Sequence, residues 1–176
     1  MAENLFIASG GKQEKYEALL PQLRALFDGE NDIVANTANC AAALHATFGH
    51  LWTGFYFVKN ATAAEDGNAD KHEKTLVLGP FQGPIACTRI ACGRGVCGTA
   101  WKERRTLVVP DVDEFPGHIA CSSRSRSEIV VPVFRKTAGD SEIIGVLDID
   151  SAFIGAFDDT DRKYLEEICL LLSRTI

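Results

Sequence analysis

Six cysteines and a few closely spaced carboxylates are the residues of this 176-residue chain best suited to chemistry, and their local settings separate them. Cys87, Cys97 and Cys121 fall in glycine-rich or loop-like stretches, where backbone can approach a ligand and a thiol can reach solvent. Cys40 and Cys169 sit instead on apolar stripes of predicted helices, where a free cysteine behaves as a small core hydrophobe. Cys92 is a loop cysteine without an obvious assignment. Cys87, Cys92, Cys97, His118 and Cys121 contain enough donors for zinc, yet no Cys-x-x-Cys knuckle occurs and His118-x-x-Cys121 is the one close pair. No metal site is expected, which leaves thiol chemistry: a thiolate nucleophile, and a second thiol to close a disulfide.

The carboxylates complement that chemistry. Glu128 lies at a loop-to-strand junction seven residues after Cys121, and a carboxylic acid can serve as proton donor if burial or a neighbouring carboxylate raises its pKa. Side chains alternate along a strand, so Asp148 and Asp150 project to one face and form a pair suited to an ammonium group. Trp52 and Tyr56, four apart in one strand, share a face and make a flat apolar wall, whereas Phe55 and Phe57 point to the opposite face for packing. The alternatives are a solvated strand face for the acids and plain core for the aromatics.

Elements must position these groups. Tyr16, Leu19, Leu20, Leu23 and Phe27 recur at helical spacing, and Asp32 offers an N-cap to a second helix through Val34, Ala38, Ala41, Leu44 and Phe48. Strands are predicted at residues 51–58, 75–81, 106–109, 128–135 and 142–150, the last two joined by a hairpin at Ala138-Gly139-Asp140. Residues 60–74 read as an exposed connection. Residues 99–104 make a short helix at best, and residues 110–127 a long loop of the functional or mobile kind. A closing helix starts near Asp158, Asp159 or Thr160 and buries Leu165, Ile168, Cys169 and Leu172. The expected fold is α+β, an antiparallel sheet with helices gathered on one face and a site on the other.

Composition bounds the function. The length suits one domain, residues 1–176, with a core large enough to need no disulfide or structural metal. A net charge of -6 and scattered basic residues disfavour nucleic acid, no apolar run approaches a membrane span, and the N-terminus lacks a signal-peptide layout. A cytoplasmic setting is expected, in which a cysteine cluster means catalysis, redox sensing or metal rather than a structural framework.

Gly79-Pro-Phe-Gln-Gly-Pro-Ile-Ala-Cys87, Gly93-Arg-Gly-Val-Cys97-Gly-Thr-Ala and His118-Ile-Ala-Cys121, taken in order, resemble the free methionine-(R)-sulfoxide reductases. The resemblance extends through Trp52-Thr-Gly-Phe-Tyr56, Ser127-Glu-Ile-Val-Val-Pro132 and Gly145-Val-Leu-Asp-Ile-Asp-Ser151, covering nearly the whole chain from about Tyr16. It implies a GAF fold, commonly a homodimer, with Cys121 as the sulfoxide-attacking thiolate, Cys87 as resolving thiol and Cys97 as the family's third cysteine. Cys92 and the polar insert at residues 60–74 depart from the pattern. Under this reading Glu128 supplies the proton, and Asp148 and Asp150 hold the ammonium of a free amino acid. Trp52 and Tyr56 wall the thioether, and backbone N–H groups of the loop at Ile119, Ala120 and onward receive the carboxylate. No bound cofactor is expected; reducing equivalents would come from a thioredoxin-type donor. The competing classes are a GAF small-molecule sensor and a thiol redox sensor without turnover, and the closing of the chain soon after its last helix, with no output domain, speaks against the former.

Overall fold

The computed structural model describes residues 4–61, 74–117, 123–136 and 141–175. The hairpin turn expected at residues 138–140 and most of the polar connection at residues 60–74 lie outside them.

Two helices open the fold, α1 (Lys12–Phe27) and α2 (Ile33–Phe48). The stripe read from the sequence faces the core in α1, with Tyr16, Leu19, Leu23 and Phe27 buried and Leu20 partly buried. In α2 the Asp32 side chain accepts from the Ala35 backbone N–H, the N-cap role expected of it. Gly49, at φ 67°, terminates the helix in the left-handed region.

The strands β1 (Trp52–Asn60), β2 (Lys74–Gln82), β3 (Arg89–Ala91), β4 (Leu107–Val109), β5 (Ser127–Lys136) and β6 (Ser141–Ser151) form one sheet. Their order is β3-β2-β1-β6-β5-β4, every neighbouring pair antiparallel. Between β3 and β4 lies α3 (Gly95–Glu103), and α4 (Asp159–Leu172) closes the fold. Asp158 and Asp161 make a capping box at the start of α4. Asp161, fully buried, also accepts from Tyr16 Oη and pairs with Lys12 Nζ, tying α1 to α4.

Period-two alternation divides the sheet into two apolar layers. Phe55, Ile129, Val131, Val133, Leu147 and Ile149 pack under α1, α2 and α4, together with Cys40 and Cys169. Trp52, Tyr56, Val130 and Val146 face the other way, with Leu76, Ile90, Val96, Cys97 and Ala100. The α+β sheet with helices on one face is thus observed. The short helix α3 lies on the opposite face, and it begins at Gly95 rather than near Thr99 because Gly93 and Gly95, at φ 75° and 59°, turn the chain into it early. Gly98 lets α3 sit close: a Cβ there would strike the Ala91 carbonyl oxygen. Among the described residues no helix is long and apolar enough to cross a membrane.

Candidate active site

Strand register assembles the acids. β6 lies between β1 and β5, so Asp150 is flanked by Trp52 on one side and Glu128 on the other, and Asp148 by Gly54 and Val130. All these side chains project away from the three-helix layer, which places Glu128, Asp148 and Asp150 in one patch on the α3 face. Glu128 and Asp148 are each only 6% exposed, and Asp150 is half-buried, accepting from Ser125 Oγ. Cys97, on the inner side of α3, turns its sulfur toward Glu128, 3.8 Å from Oε1.

Burial is the largest influence on these groups, since it penalises the charged form. It pushes Glu128 well above the usual carboxylate range, and the adjacent Asp148 and Asp150 push it further. Asp148 rises for the same reason, with Asp150 as the repelling neighbour. No ion pair reaches Glu128 or Asp148 among the described residues, so the patch retains protons that isolated carboxylates would have shed. A protonated Glu128 is a hydrogen-bond and proton donor. Cys97 is raised as well, by burial first and then by Asp148 and Glu128, which makes it a thiol rather than a thiolate.

An aromatic wall borders the acids. The Trp52 ring stacks on Tyr56 at 5.9 Å and on Phe81 at 5.4 Å between centroids. Gly54 makes this possible: a Cβ there would come within 2.5 Å of Trp52 Cη2 and also collide with Phe81 Cβ. Trp52 Nε1 donates to the Pro84 carbonyl at 3.1 Å, and Tyr56 Oη to the Cys87 carbonyl at 3.0 Å. These two bonds pin the segment between β2 and β3 as a rim, and a cleft opens between Pro84, Ile85 and Ala86 on one side and Asp148 and Asp150 on the other. A larger cleft of about 440 Å³, bounded by Arg104, Thr106, Phe134 and Glu166, shares no residue with this one and contains no comparable set of reactive groups.

Residues 26–176 match the GAF domain family. This chain belongs to that family. The GAF domain-containing protein A of Dictyostelium discoideum is 54% identical over 172 residues, covering 98% of this chain and 99% of that protein. The free methionine-R-sulfoxide reductase of Escherichia coli is 42% identical, covering 94% of this chain and 90% of that one. Among solved structures, the free methionine-R-sulfoxide reductase of Neisseria meningitidis in complex with its substrate superposes with a TM-score of 0.84 at 47% identity, over 98% of this chain and 94% of that one.

Within this GAF domain the expected site residues meet different fates. Glu128, Asp148, Asp150, Trp52 and Tyr56 converge, while Cys121, Ile119, Ala120 and His118 lie outside the described residues. Cys87 is half-buried at the rim and disulfide-bonded. Cys97 corrects its expected setting: it is no solvent-reaching loop thiol but a helix residue 3% exposed, because α3 folds its Val96, Cys97 and Ala100 onto the sheet. Cys92 is exposed and free, and Cys40 and Cys169 are buried core, as their stripes implied. One contributor, Ser125, and one contact were missed. Ser125 carried no motif, and the Cys97 contact with Glu128 spans 31 residues; the small residues at Gly95, Gly98 and Ala100 were the available signal that a helix packs closely there.

Proposed function

We propose that this protein is a thiol-dependent reductase of free L-methionine-(R)-sulfoxide. The observation that carries the reading is the meeting of Glu128, Asp148 and Asp150 beside the Trp52 and Tyr56 rings, an acidic patch next to a flat apolar wall. A free amino acid bears an ammonium that a peptide-bound methionine lacks, and two flanking aspartates match it. The names of the similar Escherichia coli and Neisseria meningitidis proteins support the same substrate and epimer.

In this reading the Cys121 thiolate attacks the sulfoxide sulfur while Glu128 gives its proton to the oxygen. The S–O bond breaks as oxygen passes to Cys121, leaving methionine, reduced by two electrons, and a sulfenic acid oxidised by two. The Cys87 thiol then attacks that sulfur, the S–S bond forms and water departs. An external dithiol of the thioredoxin type reopens the disulfide. Cys97, buried and protonated, assists by hydrogen-bonding to Glu128 and is the family's third cysteine rather than the first choice of resolving thiol. The working unit is a homodimer in the cytoplasm.

The test is turnover with dithiothreitol on three substrates: the free R epimer, the free S epimer and a peptide-bound sulfoxide. Methionine should appear from the first alone, and Cys121→Ser should abolish it. Binding of the sulfoxide without turnover would replace the enzyme by a sensor.

A further inference from the structure

Cys97 is the least employed reactive group beside the acids, and it stands where three donor groups meet. Single ligand atoms of Cys97, Glu128 and Asp148 all lie within 4.8 Å of one another, the one such group of three among the described residues. Independently, among the described residues Asp148 Oδ1 is buried without a hydrogen-bond partner, in a side chain 6% exposed. We propose that Cys97 Sγ, Glu128 and Asp148 form a binding site for a thiophilic divalent cation, of the zinc or cadmium class, that blocks the acidic end of the cleft.

The distances suit such an ion. Tetrahedral zinc holds sulfur at about 2.3 Å and carboxylate oxygen at about 2.1 Å, which puts the two donors about 3.6 Å apart. Cys97 Sγ and Glu128 Oε1 stand at 3.8 Å, so the pair needs only a slight contraction. One sulfur and two oxygens complete three positions, leaving a fourth for water. The charge suits it too, because the two buried acids, with no ion pair among the described residues, ionise only with difficulty and a cation between them favours their charged forms. Binding exchanges protons and involves no redox change: the Cys97 S–H bond breaks, an S–metal bond forms, and the thiol proton leaves to solvent along with any proton held by the carboxylates. A sulfur donor discriminates against hard ions, so magnesium and calcium should not take the site. The spacing in sequence, 31 residues from Cys97 to Glu128 and 20 more to Asp148, resembles no metal knuckle and hides the cluster from motif reading.

Cation binding stands on this geometry alone; only the consequence, competition with methionine sulfoxide, rests on the function proposed above. The experiment titrates the full chain, reduced with a phosphine and stripped of metal. Cadmium is followed by its near-ultraviolet thiolate charge-transfer band, and zinc by equilibrium dialysis. One equivalent should bind, with the dissociation constant raised tenfold or more in Cys97→Ser and in Asp148→Asn, and unchanged within twofold in Cys92→Ser. Glu128→Gln provides a second weakened variant should Cys97→Ser fail to fold by circular dichroism. Titration of Cys97→Ser like the parent, or loss of binding in Cys92→Ser or Cys87→Ser, would overturn the site by giving the metal to other thiols. Free methionine sulfoxide should weaken zinc binding, beyond an alanine control for chelation. Cys97-dependent binding that sulfoxide leaves untouched upholds the cation site and counts against the substrate placement instead.

Discussion

Replacing Glu128 by glutamine should do two opposite things, destroying activity while stabilising the fold. Glutamine keeps the shape of the side chain and can still accept from Cys97, but it has no carboxylic proton to give. A positioned general acid is worth roughly 10²–10⁴ in rate, about 3–5 kcal/mol of barrier, so kcat on free methionine sulfoxide should fall by that factor. The stability effect follows from the raised pKa. An unfolded glutamate titrates near about 4.3, and the folded one well above it, so the folded state binds more protons in between. The stability associated with the neutral form is therefore fully present below the unfolded value and is lost as pH rises through the folded one. Glutamine removes that loss, with each kcal/mol recovered at pH 8 worth about 2–4 °C in Tm for a chain of this size. Two assays decide it. Thermal melts from pH 5 to 8 should show the parent losing stability with rising pH more steeply than Glu128→Gln, and pH–rate profiles should show an alkaline limb in the parent that the variant lacks. A variant that keeps its rate within a few fold, or that melts lower at pH 8 with the parent's slope, would show that Glu128 is ionised and that the proton comes from elsewhere.

Gly54→Ala should be disproportionately harmful for a single methyl, because the Cβ collides with Phe81 and Trp52; overpacking of about 1–3 kcal/mol should lower Tm and raise KM through displacement of the indole, read by melting and steady-state kinetics. Tyr16→Phe should cost about 1–3 kcal/mol in urea unfolding, since it removes the donor to buried Asp161 Oδ1, and should leave kcat unchanged. Alkylation mapped by mass spectrometry should label exposed Cys92 in the native protein, with buried Cys40, Cys97 and Cys169 protected until denaturant is added.

The sequence was most readable where periodicity and burial coincide. The stripe of α1, the Asp32 cap, the alternation that puts Phe55 on one face and Trp52 and Tyr56 on the other, and the shared face of Asp148 and Asp150 are all local consequences of a helical or extended backbone. Register is not local. That Glu128 sits opposite Asp150 depends on how β5 pairs with β6 across a turn, and no pattern inside either strand specifies it. The loop reading of Cys97 failed for a related reason: the glycines around it look like loop punctuation, yet Gly98 is there to let a helix approach Ala91. Glycine marks close approach as readily as it marks a turn, and composition cannot distinguish them. The missing β3 reflects the same limit, since three residues carry too little alternation to read as a strand.

A cleft of this kind is built against the grain of folding. Glu128 and Asp148 would each be more stable in water, and Cys97 is placed where the field of both makes its ionisation harder still. Nothing local offsets this, as no cation is paired with either acid among the described residues; the compensation lies across the sheet, in the apolar layer under α1, α2 and α4 and in the Lys12, Tyr16 and Asp161 clasp that joins the first helix to the last. The two layers therefore divide the work. One face of each central strand supplies the stability that the other gives up, and the alternation of β5 and β6, apolar at Ile129, Val131, Leu147 and Ile149 but acidic at Glu128, Asp148 and Asp150, is the means by which two neighbouring residues serve opposite ends. On that reasoning, neutralising Glu128 or Asp148 should raise stability and lower function together, whereas a substitution on the helical face should lower stability and leave the chemistry intact.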